Sequence, residues 1–104
     1  MKSSPIQIAI LAFQNCTSSI LFGTLDILSF ANSNWKDFNK TGKESLFNIT
    51  IVSHDGKAVL SFNKYPIVPQ KSCKAKLKYD LVFIPGFLGD LDTVLNHEKK
   101  SIAC

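Results

Sequence analysis

The stretch Asp80-Leu-Val-Phe-Ile-Pro-Gly-Phe87 (DLVFIPGF) decides how this chain is read. Five of its eight residues are large and apolar, and the run breaks abruptly at Pro85-Gly86. Such a short, continuous apolar run suits a strand covered on both faces, Leu81 to Ile84, that stops in a tight turn. The turn Pro85-Gly86-Phe87 then stands at the strand's tip, offering backbone N–H groups to whatever lies beside it.

Working outward, the same kind of run occurs at Ile6 to Phe13 (IQIAILAF), broken only by Gln7. It predicts a second buried strand. Gln14 to Ser19 is polar and turn-like, and Thr17, Ser18 or Ser19 can cap a helix that follows. Ile20, Leu21, Leu25, Ile27, Leu28 and Phe30 spread over that helix, which Ala31 to Asn34 is expected to end. Asn34 to Ser45 reads as a loop with room for one helical turn. Leu46 to His54 alternates, with Phe47, Ile49 and Ile51 on one face and Asn48, Thr50 and Val52 on the other, as a strand does. Asp55-Gly56 is a turn signal. Lys57 to Phe62 and Tyr65 to Val68 predict a small hairpin at the sheet's edge, because Pro66 and Pro69 disfavour a central position. Gln70 to Lys78 reads as a Lys-rich loop, and Asp90 to Ala103 as a helix. Strand, helix, strand, hairpin, strand, helix predicts an α/β fold with a parallel sheet and right-handed crossovers. Ligands in such sheets bind beyond the carboxyl ends of the strands, which singles out the loops Gln14 to Ser19 and Pro85 to Asp90.

Totals narrow the classes. At 104 residues, 45% hydrophobic and 19% charged, the chain is of one-domain size and ordinary globular composition. All 12 basic residues are Lys, for a net charge of +4. Without Arg the bidentate reading of guanine is lost, so the charge reads as solubility rather than sequence-specific nucleic-acid binding. Cys16, Cys73 and Cys104 form no CxxC pair, which argues against a redox or zinc motif and against a secreted disulfide scaffold. His54 and His97 are far apart in sequence, and no metal or cofactor is expected. The amino-terminal apolar run suits a strand better than a leader, no run is long enough to span a membrane, and a cytoplasmic location is expected.

Three stretches together resemble the ThiJ/PfpI superfamily, whose domain has the class I glutamine-amidotransferase-like fold, and within it the amino-terminal domain of AraC-type transcriptional regulators. They are IAILAFQNCTSSILFGTLDILSFAN (8–32), LFNITIVSHDGKAVLSFNKYPIVP (46–69) and YDLVFIPGFLGDLD (79–92). The resemblance implies a flavodoxin-like, three-layer parallel sheet, here its amino-terminal half with a small edge hairpin. It implies a small-metabolite sensor or dimerisation unit, with DNA bound only through a further carboxy-terminal domain. Departures from the family pattern point away from catalysis. The reactive Cys of enzymatic relatives sits on a strand-to-helix elbow, and Cys104, preceded by Ser-Ile-Ala at the last position, is not placed as one. Where enzymatic relatives carry an acid beside that Cys, this sequence has Ile20, which cannot tune a thiol. Where they usually carry Gly after the Pro-Gly turn, it has Phe87.

The candidate ligand-binding residues are therefore Asn15, Cys16, Thr17, Pro85, Gly86 and Phe87, and no catalytic residue is assigned. Other readings are the plainer ones: Asp26 as an exposed helix acid, His54-Asp55 as turn residues, His97 as part of a solvated helix face, Ser18 as a cap, and Lys71, Lys74, Lys76 and Lys78 as a solvated basic loop. The expectation is a non-catalytic part of an AraC-type regulator, homo-oligomeric, with no membrane partner. A fragment of a ThiJ/PfpI-type cysteine hydrolase or hydratase and a small stand-alone flavodoxin-like binding protein are the alternatives. Without a further strand beside Leu81 to Ile84, that strand is a bare edge and predicts self-association.

Overall fold

The structure, a computed structural model, describes residues 5–38, 46–74 and 78–86, with backbone only at 36–38. The central element is β1 (Ile6–Leu11), whose Ile8, Ala9, Ile10 and Leu11 are all buried. Two parallel neighbours flank it: β2 (Phe47–Ser53) on one edge and β6 (Leu81–Phe83) on the other, with Ile8 opposite both Ile49 and Leu81. The two apolar runs at 6–13 and 81–84 therefore lie side by side. The predicted parallel α/β class is what the chain adopts. The helix expected at 90–103 lies outside the described residues.

Crossing from β1 to β2 is α1 (Ser18–Phe38). Leu21 is fully buried, and Leu25 packs against the core. The helix runs past the Ala31–Asn34 end read from the sequence. Neither Gly nor Pro occurs between Ala31 and Phe38, and the side chain best suited to stop the helix there is occupied elsewhere. Asn32 Nδ2 donates to the Phe47 carbonyl (3.0 Å), and Asn32 Oδ1 accepts from the Phe47 N–H (2.9 Å). An Asn amide used this way does not compete for its own helix backbone. Instead it extends the hydrogen bonding of β2 by one amide and ties the helix to the start of that strand.

The hairpin is real but stands elsewhere than expected. β3 (Val59–Leu60) and β4 (Pro66–Ile67) form a separate two-stranded antiparallel pair, not an edge of the main sheet. The edge beside β2 is taken by β5 (Lys71–Ser72), within the stretch read as a loop, giving the order β5-β2-β1-β6. Gln70 guides the chain there. Its N–H donates to the Ile51 carbonyl (2.7 Å), and its Oε1 accepts from the Ile51 N–H (2.9 Å). A two-residue strand carrying an exposed Lys suits an edge position. At the hairpin tip the Ser61 N–H donates to the Tyr65 carbonyl (2.9 Å), and Lys64, at φ 70°, donates to the Ser61 carbonyl (2.9 Å). This is the three-residue loop closed by a left-handed residue. Buried Ser61 completes it, its hydroxyl donating to Asn63 Oδ1 and accepting from the Tyr65 N–H (3.2 Å).

The Asn32 clamp has a measurable consequence. Asn32→Ala leaves a half-buried N–H and C=O of Phe47 without their partner and is expected to cost about 1–2 kcal/mol in urea unfolding. Asn32→Asp, which keeps the acceptor but loses the donor, should not restore wild-type stability.

Candidate functional site

The carboxyl end of β1 is a topological switch point. From it the chain crosses through α1 to β2 on one side, while β6 lies on the other. Open parallel sheets bind ligands in this place, because the loops leaving the two strands diverge and leave a crevice.

Three sets of hydrogen bonds, all but one between backbone groups, join the loops at this place. Phe13 to Cys16 is a tight turn closed by the Cys16 N–H on the Phe13 carbonyl (3.1 Å), with Asn15 at φ 69°. Asn is among the few residues other than Gly that tolerate this left-handed backbone. The turn docks onto the hairpin. The Asn15 N–H donates to the Leu60 carbonyl (2.8 Å), the Phe62 N–H donates to the Cys16 carbonyl (2.8 Å), and Gln14 Oε1 accepts from the Leu60 N–H (3.1 Å). The Thr17 N–H then donates to the Gly86 carbonyl (2.9 Å), joining the two loops that the sequence singled out. Thr17 is the first cap of α1, since its carbonyl accepts the Leu21 N–H (3.1 Å).

Asn15, Cys16, Thr17, Pro85 and Gly86 are thus brought together, and Phe87 lies outside the described residues. They do not play equal parts. The Cys16 and Pro85 side chains are fully buried, so they support the floor from beneath. Asn15 and Gly86 are exposed and Thr17 is half-buried, which makes these three the residues a ligand can reach. Ile20, one turn into α1, closes over the same spot: its Cδ1 lies 3.6 Å from where a Cβ on Gly86 would stand. The surface at the switch point is therefore apolar side chain over polar backbone.

Two contributors were not read from the sequence. In the sequence Gln14 is one polar residue of a turn-like loop, yet its amide fastens the hairpin to the turn. Asp80 sets the position of β6. Its Oδ2 accepts from the Gln7 N–H (2.8 Å), while its own N–H donates to the Gln7 carbonyl (2.7 Å). An Asp directly before an apolar strand was the available signal.

A second cluster closes the carboxyl end of β2. Fully buried Ser53 donates from Oγ to the Lys57 carbonyl (2.9 Å), and the Lys57 N–H donates to Asp55 Oδ1 (3.0 Å). Gly56 sits at φ 79°, where a Cβ would come 3.3 Å from that of Ser72. Ser72 Oγ in turn donates to the His54 carbonyl (2.9 Å). The Lys57 N–H bond, aided by the charges of Lys57 and His54, holds the Asp55 carboxyl below its usual range. Asp55 serves the turn, as the plainer reading had it. Lys71, Lys74 and Lys78 are exposed, and Lys76 lies outside the described residues. Half-buried Cys73 is disulfide-bonded. Among the described residues no group of His, Cys, Asp and Glu is placed to hold a metal ion, and no helix is long and apolar enough to cross a membrane.

Comparison with known proteins places this geometry. No family model matches the chain, and no curated protein matches it. Solved structures do. The chain is similar to an AraC family transcriptional regulator from Pseudomonas putida, at 24% identity over 93% of this chain and 60% of that one, with a TM-score of 0.63. It is similar to a DJ-1 superfamily protein from Salmonella typhimurium, at 19% identity over 79% of this chain and 38% of that one, with a TM-score of 0.61. It is also similar to a DJ-1 superfamily protein from Agrobacterium tumefaciens, at 20% identity over 93% of this chain and 50% of that one, with a TM-score of 0.51. At such identities the likeness establishes the fold: a flavodoxin-like α/β arrangement shared with DJ-1 superfamily proteins and with this regulator. The chain spans less than two thirds of the length of each of these structures.

The Asp55 turn gives a pH signature. Its pKa is lowered on folding, so the stability it contributes is present above the ordinary value of 3.8 and is lost as pH falls through the lower native one. Thermal melts of wild type and Asp55→Ala should differ near neutral pH and converge under strongly acidic conditions.

Proposed function

We propose that the chain is part of the ligand-sensing or dimerisation domain of an AraC-type transcriptional regulator and performs no catalysis of its own. The observation that carries this reading is Ile20 over Gly86. By resemblance, enzymatic members hold an acid at that position to tune a reactive thiol, and here an isoleucine methyl covers the crevice instead. Cys16 lies beneath the floor with its sulfur inaccessible, so it is not offered to a substrate. The likeness to the Pseudomonas regulator supports the assignment. DNA contact belongs to a separate domain, and the setting is the cytoplasm.

In this reading the ligand is a small metabolite seated against Asn15, Thr17 and Gly86. It is held by backbone groups and the Asn15 amide on one side, and by apolar contact with Ile20 on the other. Oligomerisation belongs to the same role. Leu81 and Val82 of β6, and Ile84 just after it, are half-exposed at the outer edge of the described sheet. Unpaired strand edges invite another chain.

A hydrolase, amidase and glyoxalase panel tests the non-catalytic reading. The expected result is no turnover above background. Robust turnover abolished by Cys16→Ser or by Cys104→Ser would overturn it in favour of a ThiJ/PfpI-type enzyme fragment.

A further inference from the structure

The β3–β4 hairpin has an inner and an outer face. Val59, Ser61, Ile67 and Pro69 are buried, while Leu60, Phe62, Pro66 and Val68, which alternate with them, are exposed. Alternation of this kind normally turns polar residues to water. Here all four outward residues are apolar. Leu60 stands opposite Pro66, so the four are neighbours across the pair, and Tyr65, 69% exposed, adjoins them at the tip. Single exposed apolar side chains are ordinary, but a contiguous group of them marks an interaction surface.

The two edges of the hairpin differ. The Ser61 N–H donates to the Tyr65 carbonyl, and Val59 stands opposite Ile67. In an antiparallel pair the backbone groups of the pair between them, Leu60 and Pro66, then point outward. On the β3 side these groups are taken. The Leu60 and Phe62 N–H groups donate to Gln14 Oε1 and the Cys16 carbonyl, and the Leu60 carbonyl accepts from the Asn15 N–H. On the β4 side the Val68 N–H makes no hydrogen bond among the described residues. Pro66 has no N–H and leaves only its carbonyl on that edge. So sparse an edge suits one short segment rather than an endless ladder.

Positive charge surrounds this face. Residues 55–74 hold four Lys and one acid, Asp55. Lys57 lies just before β3, Lys64 at the hairpin tip, and Lys71 and Lys74 along and after β5, all exposed. Asp55 already accepts from the Lys57 N–H. Lys64, Lys71 and Lys74 form no ion pair among the described residues.

We propose that the outer face of the hairpin and the open β4 edge are a docking site for a short, extended, acidic segment of a partner protein. The segment lies along β4 as an added strand. It accepts from the Val68 N–H and donates to the Pro66 carbonyl. Its apolar side chains rest on the outer face, and its carboxylates reach Lys64 at one end and Lys71 at the other. The apolar face calls for more than charge, the free backbone groups call for an extended chain, and the lysines set its sign. The site is separate from the crevice and stands whichever chemistry the crevice performs.

Selection of short random peptides displayed on phage against the whole chain, followed by anisotropy titration of the enriched sequences, tests the proposal. The expected sequences alternate Asp or Glu with apolar residues, and their affinity falls with added salt. Val68→Pro removes the free donor without removing a bond of the fold. It should weaken binding about fivefold or more while leaving the melting temperature unchanged. Phe62→Asp should weaken it by about 30-fold, the range of an interface anchor. Lys64→Glu combined with Lys71→Glu should turn the preference toward basic peptides. No enrichment, or enriched peptides indifferent to both Val68→Pro and Phe62→Asp, overturns the site. A labelled single-stranded oligonucleotide bound in place of peptides and lost on Phe62→Asp overturns it in favour of nucleic acid. A dimer in light scattering that Val68→Pro abolishes overturns it in favour of a second copy of this chain.

Discussion

The backbone of β1 pairs along both of its edges, with β2 on one side and β6 on the other. A central strand of a parallel sheet that is buried on both faces must be apolar on both, and its neighbours must hold their register along it. Ile8 to Leu11 meet the first demand. Two polar side chains enforce the second. Asp80 reads the Gln7 peptide from the β6 side, and Asn32 reads the Phe47 peptide at the start of β2. Both sit at the amino ends of the strands, which fixes register where pairing begins and leaves the carboxyl ends free to carry the loops.

At those carboxyl ends, β1 neighbours both strands while the chain crosses to only one of them directly. The loop after β1 is therefore pulled toward the β6 exit through Thr17 and Gly86, and toward the hairpin through Asn15, Cys16 and Phe62. These anchors use backbone groups almost throughout. The loops are thereby joined without depending on many particular side chains, and few side chains overlook the place where they meet. Ile20 and Asn15 are the clearest of these.

Much of this was legible in the residues. The runs 6–13 and 81–84 were uniformly apolar, the β2 segment alternated, and Asp55-Gly56 marked its turn, so the elements and the two important loops followed. The less legible parts share a cause. The end of α1 was misplaced because Asn32 looks like a helix stop until its amide is seen on Phe47. β5 was missed because two residues, one of them Lys, carry no strand pattern, and Gln70 brings them to the edge through contacts nineteen residues away in sequence. The hairpin was found but set at the wrong place, since local turn chemistry specifies a hairpin without saying which surface it packs on.

The sequence by itself determined the α/β class and the identity of the loops at the strand tips, because those depend on the period and length of apolar runs. Only the tertiary structure decided which candidate residues reach the surface and which lie buried beneath it. Cys16 and Asn15 are adjacent in the chain, but a left-handed turn sends one into the core and leaves the other on the surface.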